Sequence, residues 1–361
     1  MSKCGPRRIG VLTGGGDCQG LNAAIRAVVK TAVKEYGMEV VGIQDGFQGL
    51  LEMRTRALSH DDVSGILTLG GTILGTSREN PFKVKATEGG KTTVVDRSDI
   101  AVENYKRLKL DALVCIGGDG THRKAQKLWK KGLNVVGIPK TIDNDLAETD
   151  ATIGFDSAMA IATESIDRLH STAASHHRVM VIEVMGNRAG WLALASGIAG
   201  GGDVILIPEI PYNPDVVARL VKDRNRRGRR FSIVVVAEGT RPASMKPAGK
   251  DEEWTGDATG QVSQLVAQQI AEKTGVETRV TVLGHVQRGG APTAFDRLLA
   301  TRFGTRAVDL VAKEKFGRMV CLRGVEVRSA DINDVAATVR TVPPDHPWVE
   351  SARRVGTCFG D

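Results

Sequence analysis

Residues 112–121 read Ala-Leu-Val-Cys-Ile-Gly-Gly-Asp-Gly-Thr, an unbroken apolar run that meets three glycines, an aspartate and a threonine. A short run of this kind, with β-branched residues and no polar alternation, predicts a parallel strand covered on both faces. Helical spacing follows from 121 to 130, so the glycines lie where a strand turns into a helix. The same order occurs near the start: a run at 9–12, then Thr13-Gly14-Gly15-Gly16-Asp17, then a helix at 21–34. Further strands are expected at 40–43, 135–138, 179–184, 204–207, 233–237 and 280–283, with helices at 158–169, 188–199 and 262–272. The alternation reads as α/β. In such sheets ligands bind at the carboxyl ends of the strands, and five of these strands run directly into polar or glycine-rich segments there.

With 361 residues the chain is long enough for two domains. A hydrophobic fraction of 41%, a charged fraction of 25% and a mean hydropathy of -0.13 belong to an ordinary soluble protein. No apolar run approaches the roughly 20 residues that span a bilayer, and Met-Ser-Lys-Cys-Gly-Pro-Arg-Arg is not followed by a signal core, so a cytoplasmic protein without membrane contact is expected. The five scattered cysteines form no Cys-x-x-Cys pair and imply neither a disulfide framework nor a zinc site. A net charge of +7 suits anionic small molecules as well as it suits nucleic acid, and 4% aromatics argue against stacking on single strands. Residues 89–93 and 242–256 read as exposed loops.

The strand ends carry the chemistry. Around Gly16 the glycines let a phosphate approach backbone amides, although a tight turn alone explains them too. Gly117-Gly118-Asp119-Gly120-Thr121 adds a carboxylate able to hold Mg²⁺; the bland alternative is a helix cap. Pro139-Lys140-Thr141-Ile142-Asp143-Asn144-Asp145 is the most specific: one carboxylate can accept the proton of an attacking hydroxyl while the second orients it or holds metal, with a lysine nearby to offset phosphate charge. An acidic turn is the bland reading there.

At these residues the chain resembles the phosphofructokinase family, over about 8–320. The motifs come in the family's order: Leu-Asn-Ala-Ala-Ile-Arg, Gly-Thr-Ser-Arg, Gly-Gly-Asp-Gly-Thr, Thr-Ile-Asp-Asn-Asp, Ser-His-His-Arg, Glu-Val-Met-Gly, Ala-Glu-Gly and Gly-His-Val-Gln-Arg-Gly-Gly. Gly-Gly-Asp-Gly-Thr is shared with lipid and NAD kinases; Thr-Ile-Asp-Asn-Asp together with Gly-His-Val-Gln-Arg-Gly-Gly is specific.

The resemblance implies two Rossmann-like three-layer lobes of the phosphofructokinase fold: an ATP-binding lobe at 1–154 plus about 287–337, and a fructose 6-phosphate-binding lobe at 155–286 plus about 338–361. It implies phosphoryl transfer from ATP, with Mg²⁺, to the 1-hydroxyl of fructose 6-phosphate across the cleft between them. Gly16, Arg78, Glu79, Gly118, Gly120 and Thr121 would contact the nucleotide, and Asp119 would hold the metal. Asp143 would be the general base, with Thr141 and Ile142 beside it and Asp145 in support. Met185, Gly186, Asn187, Glu238, His285, Val286, Gln287 and Arg288 would line the sugar-phosphate pocket. Arg178 and Arg279 would reach the 6-phosphate from a neighbouring subunit, which implies a homotetramer or at least a dimer; arginine's planar fork suits that contact.

Asn187 stands where relatives carry arginine, which removes a cation near the transferring phosphoryl, with Arg188 next to it. Gly120 leaves room for the α-phosphate of ATP, whereas Lys140 resembles pyrophosphate-type enzymes. The alternatives are therefore a pyrophosphate-dependent enzyme, a lipid or NAD kinase, and a catalytically inactive sugar-phosphate-binding regulatory subunit. The arginines at 224, 226, 227, 229 and 230, with Arg26 and Arg54, fall near a segment that binds effectors in bacterial relatives. Trp191 reads as helix packing, and His176 and His177 as structural residues.

Overall fold

The run at 112–117 is a strand, Ala112–Gly117, in which every residue is buried. Its side chains alternate between two apolar layers, because successive residues of a strand point to opposite faces. Leu113 and Cys115 join Leu12, Phe47, Leu50, Ala125, Leu128 and Val135 in one cluster. Val114 and Ile116, on the other face, are equally buried. This computed structural model describes residues 6–88, 91–245 and 260–361.

In chain order the strands are β1 (Arg8–Gly14), β2 (Glu39–Ile43), β3 (Thr55–Ala57), β4 (Val84–Glu88), β5 (Lys91–Val95), β6 (Ala112–Gly117) and β7 (Val135–Pro139). There follow β8 (Val179–Val184), β9 (Val204–Leu206), β10 (Ser232–Ala237), β11 (Thr278–Val282), β12 (Arg318–Arg323) and β13 (Glu326–Asp331). The helices are α1 (Leu21–Tyr36), α2 (Gly46–Glu52), α3 (Ser98–Arg107), α4 (Asp119–Lys130), α5 (Phe155–His176) and α6 (Trp191–Ala199). Those after them are α7 (Pro214–Arg226), α8 (Gln261–Thr274), α9 (Ala294–Ala312), α10 (Ile332–Ala337) and α11 (Pro347–Arg354). Helix α1 shows how such elements stop: Gly37 adopts φ 60°, the Gly37 N–H bonds Val33 O at 3.2 Å and the Met38 N–H bonds Ala32 O at 2.9 Å, which closes the last turn.

The chain divides into two compact units. The first comprises Met1–Ile142, Leu146–Ser157 and Arg288–Val339. Its sheet runs β13-β12-β7-β6-β1-β2-β3. Strands β12, β7, β6, β1 and β2 are mutually parallel, whereas β13 and β3 are antiparallel edges. The second unit comprises Asp143–Asp145, Ala158–Gln287 and Arg340–Asp361, around the parallel sheet β11-β8-β10-β9. Val181, Val234, Val236 and Leu206 pack there against Val217 and Val221 of α7 and Val266 and Ile270 of α8. Each such side chain contributes about 1.5–3 kcal/mol when fully buried.

All eight strands expected from sequence form. One expectation needs correction. Residues 91–93, read as loop, belong to β5, which pairs antiparallel with β4 in a two-stranded sheet. The expected loop at 242–256 falls for the most part outside the described residues. Among the described residues no helix is long and apolar enough to cross a membrane.

Candidate functional site

In the first unit the residues singled out from sequence gather where β1, β6 and β7 end side by side. Gly14 pairs with Gly117 and Gly117 with Pro139, so three loops leave neighbouring parallel strands at one edge. Thr121 explains why glycine is needed under them. It is buried, and a side-chain carbon on Gly117 would lie 2.3 Å from its Oγ1; one on Gly14 would lie 2.8 Å away. The hydroxyl of Thr121 thus fills the space that two missing side chains leave. Gly120, in the first turn of α4, is the opposite case: an added carbon meets nothing within 4 Å.

Hydrogen bonds fix the loops to one another. The Gly15 N–H donates to Ser77 O at 3.0 Å and Thr76 Oγ1 donates to Gly15 O at 2.7 Å, while Gly15 itself adopts φ 81°. Lys124 Nζ donates to Arg78 O at 3.0 Å and to Glu79 O at 2.8 Å, which ties the Arg78 segment to α4. Burial holds the Lys124 ammonium below the usual lysine range. Lys140 is buried, and its ammonium donates to Gly14 O at 3.3 Å and to Gly16 O. The backbone N–H of Lys140 bonds Gly117 O at 2.9 Å, and that of Thr141 bonds Ile153 O at 3.1 Å. Ile142 is buried behind them. Arg288 also lies in this unit, with its guanidinium beside the first loop: a carbon on Gly16 would come within 2.6 Å of Arg288 Nη1.

Asp119 opens α4 and accepts a hydrogen bond from Arg123 Nε at 2.8 Å, one helical turn on. A carboxylate in the first turn is favoured by the helix dipole. His122 is fully buried; burial pushes its imidazole down to about 4, and Nδ1 lies 3.0 Å from Gly118 O. The neutral ring therefore donates from Nδ1. Cys18, near the first loop, is an inert buried thiol, pushed up to about 12 by burial.

In the second unit the ends of β8, β10 and β11 form a corresponding edge. Met185-Gly186-Asn187 follows β8, Glu238 follows β10, and His285, Val286 and Gln287 lie in the 3-10 turn Gly284–Arg288 after β11. The Glu238 N–H bonds Val184 O at 3.0 Å, the Gly239 N–H bonds Gly186 O at 3.2 Å, and Gln287 Oε1 accepts from the Met185 N–H at 3.4 Å. Three segments distant in sequence are thereby brought together. His285 and Val286 are exposed, Gln287 buried.

Arg178 and Arg279 lie at the other end of this sheet. Arg178 immediately precedes β8, and Arg279 pairs with Met180 at the start of β11. Both engage Glu277, with Arg178 Nε donating at 2.7 Å. The two arginines hold the Glu277 carboxyl below its usual range, chiefly through the Arg178 hydrogen bond. At roughly 3.3 Å per residue, a six-residue strand puts about 20 Å between these arginines and Met185.

Asp143, Asn144 and Asp145 belong to the second unit, although Ile142 before them belongs to the first. Asp143 is half-buried and Asn144 is buried in a left-handed conformation with φ 50°. Arg340 holds this segment: its N–H donates to Asp145 O at 2.7 Å and its Nη1 to Asn144 O at 3.2 Å.

Sequence reasoning missed Arg123, Lys124 and Arg340. Arg123 was within reach, since Asp119 and Arg123 are four apart on a helix. Lys124 and Arg340 act through backbone carbonyls distant in sequence, for which no local signal exists. Of the arginines considered for effectors, Arg54 pairs with Asp45 at 2.9 Å and Arg224 with Asp203 at 2.7 Å.

The family model described as phosphofructokinase matches residues 8–311. An ATP-dependent 6-phosphofructokinase of Spirochaeta thermophila is 54% identical over 364 residues, covering 100% of both chains. ATP-dependent 6-phosphofructokinase 3 of Bacteroides thetaiotaomicron is 51% identical, over 98% of this chain and 100% of its own. The crystal structure of Pichia pastoris phosphofructokinase in the T-state superposes with a TM-score of 0.80 at 35% identity, over 92% of this chain and 36% of the larger yeast chain.

Proposed function

The chain belongs to the phosphofructokinase family, and from that premise we propose that it transfers the terminal phosphoryl group of ATP to the 1-hydroxyl of fructose 6-phosphate. The observation that carries the reading is the convergence of three loops at the ends of β1, β6 and β7, with open space at Gly120. Glycine-lined amides beside a helix start suit a phosphate chain, and the carboxylate there suits the cation that accompanies it. The first unit is thus the nucleotide lobe, with Gly16, Arg78, Glu79, Gly118, Gly120 and Thr121 at the phosphates.

Mg²⁺ fits Asp119. Such ions are held by one or two carboxylates plus substrate phosphates, not by an all-protein cage. No group of three metal-ligating side chains is found among the described residues, and Asp119 occupies a half-buried position at the loop. Bound there, the ion neutralises charge on the donor phosphates. Asp143 accepts the proton of the attacking hydroxyl, Asp145 supports it, and the second unit supplies the sugar pocket through Met185, Gly186, Asn187, Glu238, His285, Val286 and Gln287. Arg288 stands where it touches the phosphate loop. Arg178 and Arg279, about a strand's length from Met185, cannot serve the same sugar from within one chain. This supports self-association, with each subunit lending its arginines to another's site.

Lys140 need not indicate a pyrophosphate donor. Its ammonium bonds the carbonyls of Gly14 and Gly16, a role that braces the loop. The test is turnover of fructose 6-phosphate with Mg²⁺ and either ATP or pyrophosphate. The expected result is activity with ATP; activity with pyrophosphate alone would replace the donor assignment.

A further inference from the structure

We propose that Arg340 is a positioning residue for the catalytic loop, acting through the backbone of Asn144 and Asp145 to hold the Asp143 carboxylate in place; the proposal rests on Asp143 being the proton acceptor. Arg340 lies beyond the family match at 8–311, in the segment that returns to the second unit.

Arg340 engages the loop through both its backbone and its side chain. The backbone N–H takes Asp145 O at 2.7 Å, and Nη1 takes Asn144 O at 3.2 Å, so consecutive carbonyls of the loop are held by one residue. The guanidinium carbon stacks 4.2 Å from the centre of the Trp191 ring, and Trp191 Nε1 donates back to Arg340 O at 3.0 Å. Arginine stacked on an indole keeps its fork pre-set, whereas lysine has neither the plane nor the fork. Trp191 is only 2% exposed and is braced edge-on by His346, with ring centres 4.9 Å apart. Glu209 ties both flanks together, accepting from the Gly190 N–H at 3.0 Å and the Val342 N–H at 2.8 Å.

The loop needs such a brace. Asn144 has positive φ, a conformation that asparagine adopts more readily than most non-glycine residues but that its surroundings must still select over the ordinary ones. Asp143 directly precedes it, so a relaxed Asn144 swings the carboxylate. A displacement of about 1 Å at a reacting group costs on the order of 100-fold in rate.

Full-length Arg340→Ala and Arg340→Lys are assayed for kcat, for KM of both substrates and for thermal midpoint, and Arg340→Ala also with methylguanidinium added. The expected result for Arg340→Ala is a kcat lower by about tenfold to 100-fold, KM for ATP within about twofold of wild type, and partial recovery of kcat on adding methylguanidinium. Arg340→Lys falls in kcat with an unchanged midpoint, and it is the variant read if the alanine protein does not fold. Wild-type kcat in either variant, even with a lowered midpoint, overturns the proposal, because the residue then serves the fold alone. An Asp143→Ala control separates the two levels: near-normal turnover removes the base assignment itself, whereas a dead control beside an undiminished Arg340→Ala removes only the brace.

Discussion

At the scale of single residues, neighbouring positions have separable jobs. Gly120 has free space around it, so a larger side chain there costs the fold little and acts on whatever occupies that space. Gly120→Asp is expected to keep the wild-type thermal midpoint and lose ATP-dependent turnover; retained ATP use would show that the space is not the nucleotide's. Two buried groups beside the loops make opposing acid responses. His122 is held neutral, down to about 4, by burial, so its contribution is present above about 6.5 and is lost as pH falls towards 4. Asp296, buried where it accepts from the Gly154 and Ser157 N–H groups at 3.0 and 2.9 Å, is pushed up to about 6 by burial. Its contribution is complete below the unfolded value near 3.8 and is lost as pH rises through 6. Each amounts to about 3 kcal/mol at most, so the two largely cancel in the wild type. Relative to wild type, His122→Gln should gain stability between pH 6 and 4 and Asp296→Asn should lose it, as read from urea midpoints. Parallel curves would contradict the burial argument.

At the scale of elements, the strand-to-helix junctions set where the candidate site residues lie. The β6–α4 junction is tightly packed: Gly117→Ala drives a carbon to 2.3–2.6 Å from three side-chain atoms of the buried Thr121. Overpacking of this kind costs about 1–3 kcal/mol, and the same variant should weaken ATP binding through a displaced Asp119. An unchanged denaturation midpoint would contradict that packing. These junctions were legible in sequence because parallel strands buried on both faces are unbroken apolar runs, as in Ile-Gly-Val-Leu and Leu-Val-Cys-Ile, and the glycines after them are dictated by local sterics. The β4–β5 hairpin was not legible. Its strands, Val-Lys-Ala-Thr-Glu and Lys-Thr-Thr-Val-Val, are rich in polar residues and flank two glycines, a composition that loops share. Likewise the apolar run of β12 is only four residues long between two arginines, and β13, at the sheet's edge, has no fully buried residue to imprint a pattern.

At the scale of the whole molecule, the chain leaves the first unit at Asp143, returns to it twice, and ends in the second. The final segment carries part of the second unit's structure: Val349 and Phe359 are fully buried, and Cys358 pairs with Val204 at the sheet margin. Deleting residues 340–361 is expected to leave a protease-resistant first unit and a digestible second; equal resistance of both would show that the tail is dispensable. The motifs at the strand ends were readable from the sequence, but the partners of their residues were not. Arg340 is 196 residues from Asn144, and no periodicity or spacing connects them. The claim on which everything else depends is that Asp143 takes the proton from the sugar's 1-hydroxyl. It is tested most directly by the kcat of Asp143→Asn with ATP, Mg²⁺ and fructose 6-phosphate, in protein shown to retain nucleotide binding and its thermal midpoint. A loss of about 100-fold to 10,000-fold is predicted for removal of a general base; turnover within a few-fold of wild type would contradict it.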